Sequence, residues 1–100
     1  MYGLIGNMRA KPGQREGLVR MLLDGVSGMP GCLSYIVAND PTDADLIGIT
    51  EAWGSNAAHA ASLSTLSVRA AITEGRHLIA GMESVAKTAP VGGHGLSQAT

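Results

Sequence analysis

The residues able to do chemistry gather in one short stretch. Trp53 is the sole tryptophan of the chain and stands between a run of β-forming residues and an alanine-rich segment. Its indole offers a wide apolar plane with one N–H donor, which suits holding a flat ligand; closing the edge of a core uses the same properties. His59 follows six residues later. Imidazoles exchange protons near neutral pH, so His59 can accept a phenolic proton or hydrogen-bond an oxygen, or it can be a half-exposed helical histidine without a role. Ser62 lies about one helical turn further on and can hydrogen-bond a ligand, but a hydroxyl is no general base unaided. Glu51, two residues before Trp53 on a strand, shares that residue's side and pairs with Arg76 or Arg9 if its role is structural. Asn7 on the opening strand can orient a substrate oxygen or hydrogen-bond neighbouring backbone. Tyr35 points either into a pocket or into a sheet–sheet interface, the interface being favoured. Arg76, like Arg69, can bind an acidic substrate group or sit in solvent.

These residues need a frame to position them. Tyr2 to Ala10 is apolar on both faces, as a central strand should be. Lys11-Pro12-Gly13 breaks it, because proline cannot donate a ladder hydrogen bond and glycine permits the turn. From Gln14 to Met29 the spacing becomes helical, with Leu18, Met21, Leu22, Val26 and Met29 along one face. Cys32 to Asn39 reads as a second strand, and Asp40-Pro41-Thr42-Asp43 as the turn of a hairpin whose second arm is Leu46 to Trp53. Ser55 caps a helix starting at Asn56; Ser64 or Thr65 caps a further helical segment to about Glu74. Leu78 to Lys87 is the fourth strand. The order strand, helix, strand, strand, helix, strand is the split βαβ arrangement, an α+β ferredoxin-like fold with a four-stranded antiparallel sheet. Helices cover one face only, so a sheet apolar on both sides predicts a second copy against the other face, giving a homodimeric α/β barrel. Residues 1–89 form the domain; residues 90–100 have little to bury and read as a mobile tail or an arm on a partner.

Composition narrows the partners. The 100 residues make one domain, with a net charge of −1 from seven basic and eight acidic residues. The basic residues are scattered singly, which predicts no nucleic-acid partner. Hydrophobic residues reach 45%, but the apolar runs are short, so no membrane span is expected. No secretory leader is discernible, and a cytoplasmic location follows as the expectation. Cys32 is the single cysteine, and His59, His77 and His94 lack the spacing of a helical metal pair, so no metal site is predicted. With no phenylalanine, a pocket that uses an aromatic must draw on Trp53, Tyr2 or Tyr35.

Three stretches resemble the antibiotic biosynthesis monooxygenase family, including its quinol monooxygenase branch. They are the opening strand with "AKPGQREGLVRML", the segment "MPGCLSYIVANDPTDAD", and "ITEAWGSNAAHAASLSTLSVRAAI" with its Glu-x-Trp followed by Ser. Together they span roughly Tyr2 to Val85. The resemblance implies a homodimeric barrel with a pocket between sheet and helices, and Trp53 matches the family's Trp. It places His59 where phenol-oxidising members carry a Tyr, and Ser62 where many quinol monooxygenase-like members carry a second His. Haem-degrading relatives have an Asn at position 7, a Trp where Ser62 stands and a His where Ile72 stands; an isoleucine cannot ligate iron, so haem degradation is disfavoured.

The leading expectation is therefore a cofactor-independent monooxygenase acting on a small aromatic phenol or quinol, with His59, Asn7 and Trp53 as catalytic residues. Ser62, Tyr35 and Arg76 are expected to bind the substrate. The alternative is a non-catalytic dimeric module of the same fold that binds or senses a small ligand.

Overall fold

The computed structural model describes residues 1–26 and 29–96. The chain runs β1 (Tyr2–Ala10), α1 (Arg15–Gly25), β2 (Cys32–Asn39), β3 (Leu46–Trp53), α2 (Asn56–Ser62), α3 (Leu66–Gly75), a short 3₁₀ turn (Arg76–Leu78) and β4 (Ile79–Thr88). The strands form one antiparallel sheet in the order β2-β3-β1-β4, the α+β ferredoxin-like arrangement expected from the sequence.

Local chemistry explains the element boundaries. Gly13 takes a φ of 78° in the turn after β1, a conformation that costs glycine little. Ser55 and Thr65 cap α2 and α3, their side chains accepting from the backbone N–H of Ala58 and Val68. Helix α1 stops at Gly25, short of the expected end at Met29; residues 27 and 28 of that expectation lie outside the described residues. Gly25 is where α1 meets α3: a Cβ there would lie 2.8 Å from the Cβ of Ala71, so the close approach requires glycine. The fourth strand starts one residue later than expected, because Leu78 belongs to the 3₁₀ turn.

The register sorts the side chains by face. Across β1 and β3, Tyr2 pairs with Trp53, Leu4 with Glu51, Gly6 with Ile49 and Met8 with Ile47. These residues look toward the helices, since Met8, Ile47 and Ile49 pack with Leu18 of α1 in the core. The alternate set, with Ile5, Thr50 and Ile36, looks away from them. Ile5 and Ile36 are 40% and 56% exposed there, so two large apolar side chains stand open on the outer face. Beyond β4, residues 89–96 carry no regular structure, although Pro90 lies against Gly3 of β1. Residues 97–100 of the expected tail lie outside the described residues. Among the described residues no helix is long and apolar enough to cross a membrane.

Candidate functional site

A cavity of about 550 Å³ lies between the helix-facing side of the sheet and the three helices. Its wall is largely aliphatic: α1 contributes Leu18, Met21 and Leu22, α3 contributes Val68, Ala71 and Ile72, and the sheet contributes Leu4 and Ile49. Met8, Met21, Met29 and Met82 all line it, and the flexible thioether lets such a wall adapt to its ligand. Such a volume suits a small organic molecule, and ligand sites are typically apolar with few polar groups to orient the guest.

The polar groups gather at the end of β3. Trp53 is 1% exposed, and its Nε1–H donates to Glu51 Oε1 at 3.0 Å. Period-two alternation put these side chains on one side of the strand, and packing brought them into contact. His59 reaches the same oxygen from α2, its Nε2 standing 3.8 Å from Glu51 Oε1, with side-chain exposures of 19% for His59 and 15% for Glu51. The imidazole sits between two aromatic rings. Its centroid is 5.5 Å from that of Tyr2, and 5.4 Å from that of Trp53 in an edge-on arrangement, both within the range of favourable ring contacts. A shared carboxylate oxygen thus ties the indole to the neighbourhood of the imidazole, while Oε2 of Glu51 has no hydrogen-bond partner among the described residues.

Tyr35 faces the cavity, opposite Glu51 across the β2–β3 pair. This corrects the expectation that favoured the outer interface. The cause is a register shift between Cys32 and Ser34: the extra residue reverses the alternation and turns Tyr35 to the side occupied by Trp53 and Glu51. Burial first, and Glu51 second, pushes the Tyr35 phenol well above its ordinary range, so it stays a neutral donor. Cys32, at the start of the same strand, is half-buried, and desolvation pushes its thiol up as well, which leaves little thiolate for nucleophilic work.

The three other expected site residues differ in how they stand to the cavity. Ser62 lines the cavity and is only 4% exposed, but its hydroxyl donates to the carbonyl of His59 at 2.6 Å. That proton is committed within α2, leaving the oxygen's lone pairs for a ligand. Asn7 touches the cavity, yet its register partners are Gly48 and Glu83, and alternation groups its side chain with Ile5 and Arg9 on the face opposite Trp53. Arg76 is exposed in the 3₁₀ turn and is not part of the cavity wall. Neither arginine proposed for Glu51 reaches it: Arg9 binds Asp43 instead, at 2.9 Å. Glu51 is the site residue whose role the spacing concealed, although Glu-x-Trp on a strand was its signal.

Known proteins fit this picture. The sequence profile of the family described as antibiotic biosynthesis monooxygenase matches residues 1–74. The chain belongs to the antibiotic biosynthesis monooxygenase family. A solved structure from Chloroflexus aurantiacus J-10-fl, named for the same family, is 57% identical, with a TM-score of 0.89 over 96% of this chain and 98% of that one. Structures named for the family from Deinococcus radiodurans (24% identity, TM-score 0.72, 98% of each chain) and Nitrosomonas europaea (16%, 0.81, 91% of this chain and 99% of that one) share the fold. No curated protein matches the chain. Ser62 and Ile72 both line the cavity.

Proposed function

We propose that this antibiotic biosynthesis monooxygenase-family protein oxidises a small phenol or quinol with dioxygen, the substrate supplying the electrons and no resident cofactor taking part. The observation that carries the reading is the placement of His59 beside Glu51 in a largely aliphatic cavity walled by Trp53. In this scheme the phenolic proton passes to His59, which stands beside the Glu51 carboxylate. The phenolate gives one electron to dioxygen, and the resulting superoxide and phenoxyl radical combine to form a C–O bond at a ring carbon bearing hydrogen. Cleavage of the O–O bond with loss of that hydrogen as a proton then releases water and leaves a quinone. One phenol and one dioxygen thus give one quinone and one water. The apolar wall excludes bulk water and Trp53 supports the ring.

The test is dioxygen consumption with simple anthrols, naphthols and quinols, compared with anaerobic incubation. Oxygen-dependent turnover above background autoxidation is expected. His59→Ala should lower it about 10²-fold or more, as loss of a positioned acid–base group does. Turnover at the autoxidation rate with every compound would sink the proposal.

One observation favours a second reading, a non-catalytic binding module: the Ser62 proton is already committed to the His59 carbonyl, so few groups remain for chemistry. Under that reading His59→Ala retains ligand affinity and no variant changes a turnover that was never there. In either case we take the working unit to be a homodimer, because the outer sheet face leaves Ile5 and Ile36 uncovered. Sedimentation velocity giving a monomer at micromolar concentration would count against it.

A further inference from the structure

The sign of the charge around the cavity selects among ligands. The chain has seven lysines and arginines, and among the described residues none lines the cavity. Each lies elsewhere. Arg9 is paired with Asp43 and Arg20 with Glu16; Arg15 is bonded to carbonyls of the β2–β3 turn; Lys11, Arg69, Arg76 and Lys87 are exposed. The charged side chain that does line the cavity is acidic, Glu51; Glu83, opposite Asn7 in the register, belongs with it on the outer face.

Glu51 is also the group with spare capacity. Its Oε1 already accepts from Trp53, and its Oε2 accepts from nothing among the described residues. A carboxylate is an acceptor only. In an apolar cavity it rewards a ligand that brings a donor, and it penalises one that brings a second negative charge, because repulsion is weakly screened away from water.

We propose that the cavity takes uncharged aromatic ligands that bring a hydroxyl to the Glu51–His59 pair, and that it rejects ligands bearing a carboxylate, phosphate or sulfate. This rests on the aromatic-ligand reading above and adds the charge class. A compound carrying an acidic substituent must lose or mask it before it can enter.

The test is calorimetric titration of the whole protein at pH 7 with three probes of matched size: 2-naphthol, 2-methoxynaphthalene and 6-hydroxy-2-naphthoate. The first has a donor and no charge, the second lacks the donor, and the third adds a carboxylate. Binding of 2-naphthol at least tenfold tighter than the carboxylate, and several-fold tighter than the methyl ether, is expected. Glu51→Gln, which keeps an acceptor for Trp53, should narrow the gap between naphthol and carboxylate by threefold or more. Equal affinity of wild-type protein for 2-naphthol and the carboxylate overturns the charge inference while leaving the aromatic site standing, and this arm holds even if the variant fails to fold. An unchanged gap in a folded Glu51→Gln protein removes Glu51 as the selecting residue. Failure of all three probes to bind overturns the underlying aromatic-ligand reading together with the inference.

Discussion

The two ends of β3 treat their polar groups in opposite ways. At the Leu46 end, the turn from β2 is closed by side chains that have spent their capacity. Asp40 Oδ2 accepts from the backbone and hydroxyl of Thr42 and from the backbone of Asp43. Asp43 takes both arms of the Arg9 fork at 3.2 and 2.9 Å. Arg15, reaching over from α1, donates to the carbonyls of Asp40, Asp43 and Leu46. At the Trp53 end, Glu51 has one oxygen occupied and one open, and His59 stands 3.8 Å from its nearest carboxylate, too far for a hydrogen bond. The first end is finished and holds the hairpin to the domain. The second keeps a carboxylate oxygen free to accept at the cavity, which is the condition for acting on something else.

Three measurements sharpen the contrast. The largest effect is expected from Trp53→Ala, which removes one of the largest fully buried side chains and leaves Glu51 without its donor. A loss of about 3–5 kcal/mol in stability is expected from denaturant titration. A cost below about 1 kcal/mol would mean that the indole wall collapses freely and holds no defined cavity. Next comes Arg15→Ala, which removes a charged donor from three carbonyls, leaving that of Asp40 without this partner while those of Asp43 and Leu46 keep the backbone N–H of Leu46 and Asp40. The expected cost is about 1.5–3 kcal/mol, the range for hydrogen bonds to a charged group, with no change in ligand affinity. Arg15→Lys should recover only part of it, since an ammonium does not reproduce the planar fork; full recovery would show that charge alone holds the turn.

The smallest effect concerns pH. The Asp43 carboxyl is held below its ordinary value of 3.8 chiefly by the Arg9 hydrogen bonds, and Asp40 below 3.8 chiefly by the backbone N–H of Asp43. A depressed folded value means that ionisation favours the folded state. The contribution is complete above 3.8, shrinks as the pH falls below it toward the folded values, and vanishes beneath them. Both groups are solvent-exposed, so the effect is small and weakens with salt. Thermal melting of wild type and Asp43→Asn across this range should converge at the acid end; parallel curves would show that the turn draws no stability from these charges.

Much of the frame was legible because it is local. Pro12-Gly13 and Asp40-Pro41 punctuate the chain through backbone chemistry that operates wherever those residues stand, and the bounds of β1, β2 and β3 follow from them together with the apolar runs. Ser55 and Thr65 announce their helices in the same way. Helix α1 was the exception: its apolar periodicity continues to Val26 and Met29, but the helix ends at Gly25, where its packing on Ala71 of α3 lies. Nothing in the residues 14–29 taken alone announces that contact.

The site divides along the same line. The sequence by itself determined that Glu51 and Trp53 share a side of one strand and that His59 follows on a capped helix, since period-two alternation and capping act within a few residues. Only the tertiary structure decided the rest. The displaced register at Leu33 swung Tyr35 into the cavity, α2 settled with His59 over Glu51, Ser62 turned its proton back to its own helix, and the 3₁₀ turn left Arg76 in solvent. Each outcome depends on how one element lies against another, and spacing within an element carries no record of that.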